Sequence, residues 1–231
     1  MATSEEAGTP QHIGFILDGN RRWAKKHGLP TYEGHLAGVT ALEDVLEECV
    51  ERGVKYISFY TWSTENWNRA EEEVRSTMKI VRSIFGRELK RLIKEGCRFV
   101  AMGDREGIPD DIRKLIEKAE VDSAGGTRAT LVMCFNYGGQ QEIVRAARRA
   151  ALAGASDLTL ENFTQFLDHP EIPSCDVIVR TSGEKRLSNF MLWRAAYSEL
   201  IFIDKLWPEM TKQDVSAIID EYNNRNRRFG K

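Results

Sequence analysis

Short apolar runs alternate along this chain with longer amphipathic stretches, and that alternation limits the fold more than any other feature. Residues 12–17 (HIGFIL), 54–62 (VKYISFYTW), 97–102, 129–135, 176–180 (DVIVR) and 200–203 read as strands, with β-branched and aromatic side chains in the clearest of them. Helical patterns fall between them: from Arg21, over 34–51, over 71–94 up to Gly96, over 109–121, 140–152 and 160–167, and finally over 212–223. Pro109 followed by two acids suits the first turn of a helix. Strands separated by helices predict an α/β fold in which a central six-stranded, mostly parallel sheet is flanked by helices. No repeat, low-complexity segment or linker divides the chain, so residues 11–231 are expected to form one domain behind a loose tail over 1–10.

Charge narrows the function classes. With 33 Lys+Arg against 35 Asp+Glu the net charge is −2, which gives no global positive field for nucleic acid or anionic lipid. No apolar run approaches the ~18 residues of a membrane span, and the start MATSEEAGTPQ is too polar for a signal peptide. A cytoplasmic location is the expectation. Cys49, Cys97, Cys134 and Cys175 are far apart and lack neighbouring histidines, so they are expected to be buried thiols rather than metal ligands or disulfides. The phosphate-loop, dinucleotide, zinc-protease and nucleophile-elbow motifs are absent, as is any DDxxD.

In a parallel sheet, ligands bind beyond the carboxyl ends of the strands. Three predicted strands end in chemically loaded segments, DGNRRWAKK, STENWNR and RTSGEKRLSNF, and Trp23, Trp62, Trp67 and Trp193 lie in or beside them. Asp18-Gly19-Asn20-Arg21-Arg22 joins a strand to a helix start, where glycine, free N–H groups and two arginines suit a phosphate. An acid among phosphates calls for a cation, and Mg2+ takes such mixed oxygen ligands. The plainer alternative is that Asp18 only caps the helix. Arg180 and Arg186, with Ser188, form a candidate second anion site. Glu199 lies in an aromatic, apolar run, where it is either a second ligand to the same ion or the partner of an arginine. Val74, Met78, Val81, Phe85, Leu89 and Leu92 make one helix face, which suits core packing and also the wall of an apolar tunnel. A lone histidine such as His27 or His35 is ordinarily a hydrogen-bonded structural residue.

These segments resemble the cis-prenyltransferase family, the undecaprenyl diphosphate synthases and their relatives. HIGFILDGNRRWAKKHGLP, GHLAG, YISFYTWSTENWNR, FNYGG, DVIVRTSGEKRLSNFMLW, AYSELIF and WPE occur in family order from about His12 to Gly230. The resemblance implies a homodimer, a six-stranded parallel sheet, an elongated hydrophobic tunnel, and transfer of an allylic prenyl group to isopentenyl diphosphate with magnesium and a new cis double bond. It assigns catalysis to Asp18, Ser63, Asn66 and His35, and the allylic diphosphate to Gly19, Asn20, Arg21, Arg22, Trp23 and His35. Thr64, Glu65, Trp67 and Arg69 would line the reacting zone. Arg180, Arg186, Leu187 and Ser188 would hold isopentenyl diphosphate, Asp18 and Glu199 the metal. The terminal Arg228-Phe229-Gly230 would reach toward the active site or a partner subunit.

Three departures stand out. Thr31 occupies a position where bacterial members usually have arginine, Lys185 one where some have histidine, and Ala70 replaces a proline. Two competing classes remain: a non-catalytic subunit that only binds prenyl diphosphate, and a nucleic-acid binder using Arg21, Arg22, Lys25, Lys26, Arg225, Arg227 and Arg228, which would need a basic face. Ile84 and Phe85 are bulky candidates for a tunnel floor and favour a short or medium product, and an apolar product implies peripheral contact with membranes.

Overall fold

The computed structural model describes residues 8–225, except Gly86 and the side chains of Arg87 and Glu88. Most of the expected tail therefore lies outside the described residues, as do Arg227 and Arg228-Phe229-Gly230; Pro10, at the end of that tail, is buried.

The elements run β1 (His12–Ile16), α1 (Asn20–Lys26), α2 (Thr31–Glu51), β2 (Tyr56–Ser63), a 3-10 turn (Thr64–Asn68), α3 (Glu71–Ile84), α4 (Arg87–Lys94) and β3 (Arg98–Met102). They continue with α5 (Asp110–Asp122), β4 (Thr130–Tyr137), α6 (Gly139–Leu152), α7 (Leu160–Thr164), β5 (Val177–Arg180), β6 (Glu199–Phe202), a second 3-10 turn (Trp207–Glu209) and α8 (Lys212–Asn224). The six strands form one sheet in the order β3-β4-β2-β1-β5-β6, and every pairing is parallel.

Both faces of the sheet are covered, as a parallel sheet requires. Ile13, Phe15, Ile57, Phe59, Phe99 and Leu131 share one core with Leu42, Val45 and Leu46 of α2, Met78 and Val81 of α3, and Val215 and Ile218 of α8. The alternate side chains Ile16, Val100, Met102, Val132 and Ile178 meet Phe190 and Met191 from the long β5–β6 connection. All four cysteines are free and buried within these layers.

Two expectations change. The single helix over 71–94 is two helices, α3 and α4, so the apolar face read as continuous is divided. Phe85 ends α3 and packs edge-on against Phe99, 5.6 Å between ring centres, and Gly86, a poor helix former, follows it in sequence. Strand β4 runs through Asn136 and Tyr137, where a break was expected. Irregular pairing near Trp62 lets Ser63 align with Tyr137 and extends the ladder.

His12 shows how the core couples to pH. Its Nε2 lies 2.7 Å from Ser58 Oγ and its Nδ1 3.0 Å from the Pro173 carbonyl. Burial pushes its pKa down to about 4, against the Pro173 hydrogen bond, which raises it, and with help from Arg194. The folded state thus binds one proton fewer than the unfolded state between about pH 4 and 6.5. Stability held above pH 6.5 is lost as the pH falls through that window. Replacing His12 with glutamine is expected to flatten the stability-versus-pH slope there by up to ~1.4 kcal/mol per pH unit. Urea unfolding at several pH values checks this, and an unchanged slope contradicts it.

Candidate functional site

After β1 the chain moves to β2 on one side of the sheet, whereas β5 and β6 lie on the other side of β1. The crevice between β1 and β5, at their carboxyl ends, is therefore the place where a doubly wound sheet opens to a ligand. Asp18 follows β1 and Arg180 ends β5, and the two meet there. Arg180 Nη2 donates to Asp18 Oδ2 at 2.8 Å, and Nη1 donates to Ser188 Oγ and the Arg186 carbonyl, both at 2.7 Å. The Arg180 side chain is only 5% exposed, so this guanidinium is fixed in place.

The main chain at Asp18 is held as firmly. Its carbonyl accepts from Thr181 Oγ1 at 2.6 Å and from the Trp207 N–H at 2.9 Å. Gly19 then turns the chain into α1 with φ 112°, a conformation that favours glycine. α1 crosses α2 at Gly34, where an added Cβ would lie 2.2 Å from the Asn20 carbonyl oxygen, so the two helices approach this closely only with glycine at that position; the Asn20 side chain faces Gly38.

Around this pair stand two adjoining cavities. One, about 660 Å³, is lined by Asp18, Gly19, Asn20, Arg21, Arg22, Lys25, His35 and Arg69, with Thr31 at the departure noted above. The other, about 620 Å³, shares Asp18, Asn20, His35 and Arg69 and adds Ser63, Glu65, Asn66, Arg180 and Ser188. Its far end is apolar, formed by Val39 and Leu42 of α2 and Ile80, Val81 and Ile84 of α3. Beyond it lies a separate apolar void of about 20 Å³ that shares Val39, Leu42 and Ile84. The cleft and the void lie side by side along these three shared residues. Ile84 of α3 lines both, and Phe85 lines neither.

The lining is chemically unfinished. Asn20 Oδ1, His35 Nε2, Trp62 Nε1 and Arg180 Nε are buried without a hydrogen-bond partner, and all four residues line the 620 Å³ cleft. Buried polar atoms are normally paired, so this cluster of orphans marks the place of a polar ligand. Burial, reinforced by Arg69 against the pull of Glu73, lowers the His35 pKa to about 4, so its imidazole is neutral near pH 7.

The other charges are arranged in pairs. Arg21 and Arg69 share Glu73 at 3.5 and 3.0 Å. Arg22 donates to the Ser182 carbonyl at 3.0 Å and to its hydroxyl, and stands 3.5 Å from Glu184 and 3.8 Å from Asp18. Burial would raise the Glu65 carboxyl, but its own backbone N–H, Ser63 and Asn189 hold it below the usual range. Asn66 Oδ1 accepts from the Ser63 N–H at 3.1 Å and shapes the turn after β2.

Some candidates lie elsewhere. Trp23 stacks on His27 with ring centres 4.1 Å apart, and Trp67 points its indole N–H at Asn136; neither lines a cavity. Thr64 is half-buried in the turn, Leu187 packs against the core on the Phe190 side, and Arg186 is 58% exposed and paired with Glu184. Glu199 is a correction. It opens β6, in register with Val177 at the amino end of β5, whereas Asp18 lies beyond the carboxyl end of the sheet. Arg225 Nη1 holds it at 2.9 Å, so within one chain it is an arginine's partner and not a ligand beside Asp18. Residues the sequence reading missed include Glu73, Thr181, Ser182 and Asn189. Three of them lie inside the RTSGEKRLSNF motif and were visible there only as spacers.

For a metal, the donor set is sparse: no group of three or more His, Cys, Asp or Glu side chains suited to an ion exists among the described residues. Asp18 alone, with Oδ1 making only a 3.8 Å approach to Arg22, fits an ion that arrives with phosphate oxygens and water rather than one in an all-protein cage.

Comparison with known proteins agrees with this geometry. Residues 16–230 match the family described as "Putative undecaprenyl diphosphate synthase". The chain is 42% identical to an isoprenyl transferase of Agrobacterium fabrum, covering 100% of this chain and 96% of the relative. It is 43% identical to an isoprenyl transferase of Thermotoga maritima, covering 96% and 97%. The crystal structure of lavandulyl diphosphate synthase from Lavandula x intermedia in complex with dimethylallyl diphosphate superposes with a TM-score of 0.91 at 32% identity, covering 96% of this chain and 99% of that one. A probable undecaprenyl diphosphate synthase from Campylobacter jejuni gives 0.83 at 32% identity over the same shares. With sheet order, cleft and sequence in agreement, the chain belongs to the undecaprenyl diphosphate synthase family and is a cis-prenyltransferase.

Proposed function

We propose that the protein joins an allylic prenyl diphosphate to isopentenyl diphosphate with magnesium and forms a (Z)-prenyl diphosphate. The observation that carries this is the Asp18–Arg180 pair at the mouth of a cleft with unpaired polar atoms near the charge and an apolar end between α2 and α3. The allylic diphosphate would lie against Arg21, Arg22, Lys25 and the first turn of α1. His35, being neutral, can offer Nε2–H to a phosphate oxygen without adding charge. Isopentenyl diphosphate would lie against Arg180 and Ser188, with Arg180 Nε as an uncommitted donor. Magnesium held by Asp18 would supply neutralising charge for the departing diphosphate.

The allylic C–O bond breaks and the new C–C bond forms to the isopentenyl double bond. A proton then leaves the adjoining carbon and creates the new alkene. An amide oxygen is a very weak base and Asn66 Oδ1 already accepts from the Ser63 N–H, so an anionic diphosphate oxygen is the proposed proton acceptor. Aligning both substrates can supply roughly 7–11 kcal/mol of the barrier, and the apolar walls keep water from the allylic cation. Incorporation of labelled isopentenyl diphosphate into an organic-extractable product with magnesium, abolished by a chelator, tests the reading. No incorporation with any allylic primer overturns it.

Chain growth would press on Ile84. Ile84→Ala is expected to join the cleft to the void beyond and to shift products longer by at least one five-carbon unit, as read by chromatography. An unchanged distribution removes Ile84 as the floor. The active form is proposed to be a cytoplasmic homodimer of one catalytic domain per chain. β6 is an edge strand, and the nearby Tyr197 is 83% exposed. Sedimentation at micromolar concentration tests the dimer. No helix among the described residues is long and apolar enough to cross a membrane, and contact with one would come through the product.

A further inference from the structure

We propose that Asn136 is a positioning residue for the reaction, acting through Trp67 on the turn that carries Ser63, Glu65, Asn66 and Arg69 into the cleft; this rests on the function proposed above. Asn136 lines neither cavity. It is 7% exposed and adopts φ 49°, a left-handed conformation that side chains rarely take. Its side-chain polar atoms and its carbonyl are all engaged. Nδ2 donates to the Asp104 carbonyl at 3.0 Å and the Glu106 carbonyl at 3.1 Å, and its own carbonyl accepts from the Asp104 N–H at 3.1 Å. These bonds fix the amide against the β3–α5 loop and leave Oδ1 facing the 3-10 turn.

Oδ1 there accepts the Trp67 Nε1–H at 2.7 Å. The Trp67 ring stands edge-on to Trp62, 5.3 Å between centres, and the Arg69 guanidinium lies 5.5 Å from the centre of the Trp62 ring. Trp62 and Arg69 both line the cleft. A rigid amide on one loop thus sets the angle of an indole, and the indole sets the wall against which Arg69 rests. The two halves of Asn136 have separable jobs: Nδ2 holds the loop, and Oδ1 holds the turn.

That separation gives the test. Trp67→Phe removes the donor to Oδ1 and leaves the loop bonds intact. Asn136→Gly removes both side-chain sets, keeps the main-chain bond to Asp104 and tolerates the positive φ. Each variant is expected to lower kcat about tenfold with KM for isopentenyl diphosphate within about threefold, because misplacing a cleft wall costs rate more than binding at Arg180. The double variant is expected to be no slower than the worse single one, since both cut the same contact. Hydrogen exchange of the substrate-free protein should quicken at least about tenfold over 64–69 in both variants, but over 104–106 only in Asn136→Gly. A kcat for Trp67→Phe within about twofold of the parent, losses that multiply in the double variant, or unchanged exchange over 64–69 overturns the proposal. If the parent protein turns over no prenyl substrate, the functional reading fails, and the exchange data alone still decide whether the pair fixes the turn.

Discussion

Replacing Asp18 by alanine is expected to lower prenyl transfer at least about a thousandfold while leaving the protein folded. The loss corresponds to about 4 kcal/mol of transition-state stabilisation, a reasonable share for a group that handles charge on a leaving diphosphate. The fold should survive because the position of residue 18 is set by main-chain bonds, from Thr181 and from Trp207, that alanine keeps. Arg180 would lose one partner but retain Ser188 Oγ and the Arg186 carbonyl. The expected stability loss is about 1–3 kcal/mol. Asp18→Asn sharpens the test, since an amide can still accept from Arg180 but brings no charge. If the asparagine variant retains more than a tenth of the activity, Asp18 serves mainly to seat Arg180, and its role with metal and diphosphate is contradicted.

Replacing Arg180 by methionine is the second large effect. The guanidinium ties three things together: the carboxylate after β1, the Ser188 hydroxyl and the main chain at Arg186. Methionine fills the volume but leaves Asp18 without that partner. Removing one member of a buried ion pair costs several kcal/mol, and the 30% exposure of Asp18 reduces this to about 2–4 kcal/mol. Turnover should fall at least about a hundredfold, with KM for isopentenyl diphosphate raised at least about tenfold. Arg180→Lys restores a positive charge but not the planar fork that reaches two sides at once, so it should recover stability more than affinity. Wild-type KM values in the methionine variant would remove Arg180 from the isopentenyl diphosphate site.

These effects depend on a convergence that the sequence showed only in part. Local patterns carried the six strands and most helices, since β-branched runs and glycine stops are short-range signals. They could not show that helix 71–94 divides at Phe85. Its apolar offsets fit one straight face as well as two; Gly86 was the local sign of a break, and Phe85 beside it packs on Phe99 of β3, a contact no local pattern reveals. The polar segments after β1, β2 and β5 were legible as a site because parallel strands bring their carboxyl ends to one edge. The same rule places Glu199 at the amino end of β6, whether that strand begins at Leu200, as read from sequence, or at Glu199, so a role beside Asp18 within one chain was already at odds with a parallel sheet. Nor could spacing tell which way a side chain turns. Trp67 looked like a cleft residue by its neighbours, and the structure spends its polar atom on Asn136, 69 positions away.

The central claim is that both diphosphates react in this one cleft to give a cis alkene. The most direct measurement is to supply isopentenyl diphosphate labelled with carbon-13 together with an allylic diphosphate and magnesium, and to read the geometry of the new double bond by NMR. The account predicts a coupled product whose new double bond is Z, formed by the parent protein and missing from the Asp18→Ala variant. A product whose new double bond is E, or equal amounts of product from both proteins, would contradict it.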